Sequence, residues 1–243
     1  MLGKRYLDTR RGLAEVLDGI KSLALQTHVD SHELEHEDMA VCLTSPFRIV
    51  VAGESESGKT SFLNALLGVN LIEDDEYPIY VYGSEKAWSG GGNKFIKYTQ
   101  IQSLSEMEIV DNRGISRLTV DEREVLKELM TEADHVFYIM SAENPWAAKA
   151  WDFVTETREH VGKRCSVILQ KTDVLKKRDV EVLVDHLTSL SIQRVGHALK
   201  INCVSAVTAV GAWTKEKRDG RVWLHSGYKQ MERYLDDKLN DGG

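Results

Sequence analysis

The sequence contains few prolines and cysteines, and it lacks a long apolar run. Only three of its 243 residues are proline and three are cysteine. Cys42, Cys165 and Cys203 lie far apart in the chain, so they do not make a disulfide framework, and we expect small buried thiols. No apolar segment approaches the ~18–20 residues of a membrane span, and the basic N-terminus has no apolar secretion signal. These absences favour a cytoplasmic protein.

The chain also lacks an excess of basic side chains. Its formal net charge is −7 and its pI is about 5.7, so we expect no nucleic-acid partner. An acidic protein can still bind a phosphate group, because such a site needs only backbone N–H groups and one or two cations. Hydrophobic residues make up 42% and charged residues 28% of the sequence, which is typical of a globular protein with a core.

Apolar periodicity predicts strands that alternate with helices from residue 46 onward. Buried strands are predicted over residues 47–52, 107–110, 135–140, 165–169 and 200–204. This alternation predicts an α/β fold, a three-layer sandwich around a mostly parallel sheet, with the ligand at the carboxyl ends of the strands. Apolar residues at helical spacing before Pro46 predict an N-terminal helical segment over residues 1–45, followed by the main domain over residues 46–243.

A Gly-rich segment follows the first predicted strand and matches the phosphate-binding pattern G-x-x-x-x-G-K-[ST]. Residues 53–60 read Gly-Glu-Ser-Glu-Ser-Gly-Lys-Thr. In this pattern, backbone N–H groups and the N-terminus of the next helix surround the phosphates of a nucleotide. The alternative is a Gly-rich turn that only joins a strand to a helix. The candidate phosphate-binding residues are Glu56, Ser57, Gly58, Lys59, Thr60 and Ser61.

Two residues of this segment are the candidate catalytic residues. The Lys59 ammonium would reach the β and γ phosphates, and the Thr60 hydroxyl would ligate Mg²⁺. A P-loop indicates a nucleotide but does not select the base, which must be recognised by other residues.

Residues 169–173 read Leu-Gln-Lys-Thr-Asp and follow a predicted strand. They resemble the [N/T]KxD motif with which the GTPase superfamily recognises guanine. Asp173 would accept two hydrogen bonds that guanine offers and adenine does not, and the stem of Lys171 would cover the base. Gln170 replaces the usual Asn or Thr, and its extra methylene changes the geometry. The alternative is a strand-end turn with a solvated Lys–Asp pair.

Two further segments resemble GTPase motifs and occur in the expected order. Ser205 and Ala206 resemble the SA motif, whose backbone contacts the guanine oxygen. Residues 111–114, Asp-Asn-Arg-Gly, resemble the D-x-x-G segment. There Asp111 would hold Mg²⁺ through water, and the Gly114 N–H would sense the γ-phosphate. Arg113 has two open interpretations, an arginine finger supplied in cis or a solvated loop residue.

The stretch from residue 53 to 68 is similar to the pattern GExxxGKSxxxNALLG of bacterial dynamin-like GTPases, and residues 82–85 and 133–136 resemble later segments of that family. The resemblance covers residues 46–210. It implies Mg²⁺-dependent hydrolysis of GTP to GDP, and a nucleotide-dependent homodimer or heterodimer through the GTPase face. The chain lacks the length for the family's stalk, so we expect membrane association only through a partner.

The sequence departs from the family in two places. There is no Thr between Thr60 and Thr99, where the first switch normally supplies one; residues 77–83 occupy that place, and Ser84 or Ser89 are the candidate substitutes. Glu56 stands where related GTPases hold a potassium ion, so it either binds K⁺ or faces solvent.

Three functions remain open at this point. The first is a GTPase whose cycle orders the loops at 72–95 and 111–118. The second is a nucleotide-binding interaction module with little or no hydrolysis. The third is a P-loop ATPase.

Overall fold

The computed structural model of the chain describes residues 4–26, 46–69, 77–83, 94–101, 104, 107–213 and 218–241. The chain divides into two compact units, one comprising residues 47–231 and the other comprising residues 1–46 with 232–243. Residues 232–243 group with the N-terminal residues in this division. The predicted domains over residues 1–45 and 46–243 therefore stay a prediction.

The larger unit is built on a seven-stranded sheet. Its strands are β1 (Phe47–Gly53), β2 (Ile79–Gly83), β3 (Ile96–Gln100), β4 (Met107–Asn112), β5 (His135–Ser141), β6 (Cys165–Gln170) and β7 (Lys200–Cys203). The strand order is β3-β2-β4-β1-β5-β6-β7. The five strands from β4 to β7 in this order are parallel, whereas β2 runs antiparallel to β4 and parallel to β3. The predicted α/β fold with a mostly parallel sheet is confirmed.

Helices connect the strands in the order that the sequence periodicity predicts. They are α1 (Lys4–Gln26), α2 (Lys59–Leu67), α3 (Val120–Thr131), α4 (Ala148–Glu156), α5 (Arg158–Val161), α6 (Lys177–Val195), α7 (Ala206–Gly211), α8 (Gly220–His225) and α9 (Tyr228–Asp241). Short 3-10 turns lie at Ile115–Arg117 and Thr172–Val174. Helix α3 begins with a capping box, in which Thr119 and Glu122 each bond the other's backbone N–H.

Alternate residues of the central strand β1 enter two different apolar layers. Val50 and Ala52 belong to a core that includes residues of α3, α4, α5 and α6. On the other face, Phe62 of α2 packs against Phe137 of β5 with ring centroids 6.1 Å apart. The period of two along a strand therefore divides β1 between two helical layers, as a parallel sheet covered on both faces requires. The carboxyl ends of the parallel strands share one edge.

Strand β2 corrects the prediction for residues 77–83. We expected a first-switch loop there, but residues 79–83 form a fully buried strand. Its run of β-branched and aromatic residues favours a strand, and Ile79 and Tyr80 pair with Asn112 and Asp111 of β4. The two candidate substitutes for the missing Thr, Ser84 and Ser89, lie outside the described residues.

The N-terminal helix α1 confirms the predicted helical segment as far as Gln26. Leu17 is 8% exposed, whereas Leu13 and Val16 of the same predicted apolar stripe are 48% and 58% exposed. None of the described helices has both the length and the apolar character that crossing a bilayer needs.

Cys165 and Cys203 are free and partly buried. Burial raises the pKa of both thiols to about 11. Only the thiolate is nucleophilic, so alkylation by iodoacetamide at pH 8 should be roughly 10- to 100-fold slower in the folded chain than in urea. The rate in the folded chain should rise as the pH approaches 11. Peptide mass spectrometry distinguishes both sites from Cys42. Equal alkylation rates with and without urea would contradict the raised pKa of the two thiols.

Candidate functional site

The P-loop lies between β1 and α2, as the sequence predicts. Gly58 caps α2 in the left-handed region, with φ 94° and ψ 24°. A Cβ atom at this position would lie 2.8 Å from Cγ of Gln170. Both the backbone conformation and the close approach therefore require glycine here. The loop also closes on itself, since the Ser57 N–H donates to the Glu54 carbonyl at 3.3 Å.

The P-loop lysine is buried inside the loop that precedes it. Lys59 is only 4% exposed, and its Nζ donates to the Glu54 carbonyl oxygen at 2.9 Å. Thr60 is half-buried in the first turn of α2, and Ser61 is exposed. The ammonium thus lies among the backbone groups of the P-loop, at the end of α2 whose N–H groups and dipole favour an anion.

Gln170 joins three of the predicted loops. Its side chain is buried, and its Oε1 accepts from the N–H of Lys171 at 2.9 Å and from the N–H of Ala206 at 3.0 Å. Its Nε2 donates to the Gly58 carbonyl at 3.4 Å. The extra methylene, which the sequence presented as a departure, lies against the Cα of Gly58 where no side chain competes for space. Gln170 therefore holds the P-loop, the residues after β6 and the residues after β7 together.

Lys171 adopts a left-handed conformation, with φ 64°, directly after β6. Its Nζ bonds Oε2 of Glu143 at 2.5 Å, and this hydrogen bond holds the pKa of the Glu143 carboxyl below its ordinary value. Asp173 is exposed. Sequence reasoning missed Glu143; the available signal was an acidic residue shortly after β5, at the same sheet edge as Lys171.

Ser205 and Ala206 begin helix α7. The Ser205 side chain caps this helix by accepting from the N–H of Thr208 at 3.1 Å, and it is 3% exposed. The Thr172 N–H donates to the Val204 carbonyl at 3.3 Å. These bonds place the end of β7 beside the loop that carries Lys171.

Two non-glycine residues among those described have a positive φ, and both lie in predicted nucleotide loops. They are Glu56, with φ 62°, and Lys171, with φ 64°. Such conformations cost about 1 kcal/mol or more each and tend to occur at functional sites. The Glu56 side chain is exposed, as its solvent-facing interpretation expects.

The segment after β4 lies against the P-loop. Asp111 is 1% exposed, and its Oδ1 accepts from the N–H of Asn112 at 2.8 Å. A Cβ atom on Gly114 would lie 2.7 Å from the backbone N of Ser55. Ser116 Oγ is hydrogen-bonded to the Glu54 carboxylate. Only a glycine at position 114 lets the two loops approach so closely.

Arg113 adopts neither of the two arrangements considered from the sequence. Its guanidinium points to the N-terminal turn of α3, where it bonds Oε2 of Glu122 at 3.1 Å and the Arg117 carbonyl at 3.3 Å. Its side chain is 21% exposed, so it is not a solvated loop residue, and the Glu122 carboxylate holds the charge that an arginine finger would present. Sequence reasoning missed this ion pair, whose two residues are nine positions apart in the chain.

The predicted residues share one sheet edge but border two different cavities. A cavity of about 210 Å³ is lined by residues 54–57 of the P-loop, the end of β5, Glu143 and Lys171. A groove of about 1180 Å³ is lined instead by Asp173, Ser205 and residues of α6, β7 and α8. Gln170 bonds Gly58, Lys171 and Ala206 between the loops that border them, whereas Asp173 lies on the groove and not on the smaller cavity.

The donor set at this edge fits a magnesium ion. Mg²⁺ prefers hard oxygen ligands and commonly takes one or two protein ligands, with the rest from water and phosphate. Thr60 offers a hydroxyl at the start of α2, and Asp111 offers a buried carboxylate at the end of the neighbouring strand β4.

The Gln170 bonds can be tested by a substitution that keeps its volume. Gln170→Leu leaves the buried N–H groups of Lys171 and Ala206 without their acceptor, and each such group costs about 1–3 kcal/mol. We expect the free energy of unfolding in urea to fall by about 3 kcal/mol. Gln193→Leu, at an exposed position of α6, is the control and should stay within about 0.5 kcal/mol of the parent chain. Equal stabilities of the two variants would show that the bonds contribute little.

Known proteins include distant sequence relatives of this chain. No protein-family model matches the chain. The probable transmembrane GTPase FZO-like of Arabidopsis thaliana chloroplasts is 23% identical over 219 residues, which cover 79% of this chain and 24% of the relative. Dynamin-like protein 1 of Campylobacter jejuni is 29% identical over 175 residues, which cover 65% of this chain and 24% of the relative. The chain thus spans about a quarter of both proteins.

Solved structures show the same fold. Two chains of an oligomerised bacterial dynamin pair, described as sensing and tethering membranes, match with TM-scores of 0.66 and 0.68 at 21% and 18% identity. These matches cover 99% and 98% of this chain, and 51% and 44% of the dynamin chains. The chain therefore has the fold of a P-loop GTPase, and its resemblance to the GTPase domain of bacterial dynamin-like proteins is confirmed.

Proposed function

We propose that this chain binds guanine nucleotides with Mg²⁺ and hydrolyses GTP to GDP. The observation that carries the proposal is the set of Gln170 hydrogen bonds, which joins the P-loop to the two segments that resemble guanine-recognition motifs. A glycine-rich turn without a ligand would not need to be fixed to two other loops. The fold and the sequence relatives support the same reaction class.

The phosphates would bind at the N-terminus of α2. The backbone N–H groups of residues 56–61 would surround them, and Lys59 would exchange its bond to the Glu54 carbonyl for the β and γ phosphates. Because the ammonium is already buried in the loop, the exchange requires no further desolvation of this charge. Lys59 would stabilise the negative charge that develops during phosphoryl transfer.

Thr60 and Asp111 would hold the magnesium ion, Thr60 through its hydroxyl and Asp111 directly or through water. A magnesium ion held by these residues would neutralise part of the negative charge of the phosphates. The chain's own contribution is to fix these oxygens on two adjacent strand ends, with Asp111 Oδ1 held by the N–H of Asn112.

The base would be recognised after β6 and β7. Asp173 is exposed and would accept hydrogen bonds from guanine. The stem of Lys171, which follows β6 in a left-handed conformation, would cover the base. The backbone of Ser205 and Ala206 is fixed by the helix cap and by Gln170, so it can contact the guanine oxygen without reorganising.

A dimer across the nucleotide face is the proposed assembly. Trp146 and Val174 follow β5 and β6 at this edge and are 49% and 53% exposed, so a partner could bury them. A second copy or a related chain that covers them would also exclude water from the nucleotide. Membrane association would then come from that partner.

One observation favours an interaction module without hydrolysis. The described part of the first-switch region, residues 77–83, contains no Thr, and residues 79–83 are fixed in the sheet. Residues 77–83 therefore supply no Thr to support the attacking water, as related proteins do at this place. On this alternative, bound GTP would fix an interface and remain intact.

Multiple-turnover hydrolysis separates the two functions. The purified chain should convert GTP to GDP with Mg²⁺, and Lys59→Ala should lower turnover at least 100-fold because charge stabilisation at the phosphates is lost. Lys163→Ala, at an exposed lysine remote from the P-loop, should leave turnover unchanged. Faster turnover in KCl than in NaCl would support Glu56 as a potassium ligand. Recovery of intact bound GTP without turnover would favour the interaction module.

Base specificity is tested at Asp173. Asp173→Asn should weaken GTP binding and improve binding of xanthosine triphosphate. The Asp carboxylate needs hydrogen-bond donors on the base, whereas the Asn N–H₂ group needs an acceptor. Competition binding with GTP, XTP and ATP measures the change, and Asp179→Asn, exposed in α6, should keep the preference for GTP. Tight ATP binding that is unaffected by Asp173→Asn would identify an ATPase.

A further inference from the structure

The side chain of Asn112 is buried and uses both ends of its carboxamide. It is 1% exposed at the end of β4. Its Nδ2 donates to the Val51 carbonyl at 2.8 Å, and its Oδ1 accepts from the N–H of Gly114 at 3.0 Å. A buried amide with both groups bonded is fixed in one orientation. The Gly114 N–H therefore already has a protein acceptor.

Three further contacts hold the loop of residues 112–114. The Arg113 N–H donates to the Pro78 carbonyl at 3.1 Å, and the Arg113 carbonyl accepts from Ser55 Oγ at 3.2 Å. The Arg113 guanidinium is paired with Glu122 of α3. The backbone N–H groups of residues 112, 113 and 114 thus all donate to acceptors within the protein. The Gly114 N–H, which donates to Asn112 Oδ1, is the group that the D-x-x-G resemblance assigns to the terminal phosphate.

We infer that the Asn112 carboxamide competes with the terminal phosphate of a nucleoside triphosphate for the Gly114 N–H, and so biases the chain towards nucleoside diphosphate. The inference rests on the proposed function. An amide N–H makes one strong hydrogen bond, so the triphosphate must displace Oδ1 before it gains this donor. A diphosphate has no phosphate at that position and leaves the Asn112 bond in place.

Asn112 is suited to this role because one side chain reaches both partners. Its Nδ2 bond anchors it to β1, the strand that leads into the P-loop, and this anchor keeps Oδ1 aimed at Gly114. A threonine at this position has a shorter polar group and no second arm, so it cannot hold the Val51 carbonyl and the Gly114 N–H together. The identity of residue 112 would then set the preference between the two nucleotides.

The test compares dissociation constants for GDP and for a non-hydrolysable GTP analogue, measured by calorimetry with Mg²⁺. In Asn112→Thr, affinity for the analogue relative to GDP should rise roughly 2- to 10-fold, the equivalent of one ordinary hydrogen bond. Affinity for GDP should change less than about twofold. Glu122→Gln is the matched control, since it weakens the Arg113 anchor but leaves the Asn112–Gly114 bond, and its ratio should equal that of the parent chain.

The outcomes separate this inference from the function on which it rests. Intact GDP binding with an unchanged ratio in Asn112→Thr would overturn the inference alone, as would an equal shift in Glu122→Gln. A parent chain that binds neither nucleotide would overturn the proposed function and the inference with it. If Asn112→Thr does not fold, the Gly114 amide resonance of the parent chain decides by NMR. It should move with the triphosphate analogue much more than with GDP, and equal movement would overturn the inference.

Discussion

The hydrogen bonds of Gln170 are the constraint on which the geometry of the site depends. Parallel strands bring the P-loop and the segments after β6 and β7 to one edge, but an edge alone leaves each loop free to choose its own conformation. Gln170 removes that freedom, because its two polar atoms bond backbone groups of all three loops. The glycine at position 58 is part of the same arrangement, since any side chain there would occupy the space of the glutamine stem.

The segment after β4 follows a different principle. Its backbone is bonded by the side chains of Ser55 and of its own Asn112, and its Arg113 side chain is paired with Glu122 of α3. Asn112 also connects the segment to β1, because its Nδ2 donates to the Val51 carbonyl. The conformation of this segment therefore depends on the P-loop, on α3 and on β1 together.

Much of the fold was accessible from the sequence, because five buried strands and their helices have strong periodicity. The P-loop and the order of the motifs followed from local residue patterns. Strand β2 was missed because a resemblance assigned it to a loop, although Ile79 and Tyr80 favour a strand. The Arg113–Glu122 pair and the Lys171–Glu143 pair depend on residues brought together by tertiary structure, which spacing along the chain does not reveal. The bonding of Gln170 to Gly58, 112 positions away, could not be read from sequence for the same reason.

The left-handed backbone at Glu56 and Lys171 has a consequence for attempts to redesign this chain. Glycine would adopt both conformations without strain, so a procedure that ranks substitutions by stability alone would favour replacing both residues. It would thereby erase one negative and one positive charge from the loops that face the candidate ligand. An engineered thermostable version should hold these two positions fixed, because both charges belong to the proposed nucleotide site.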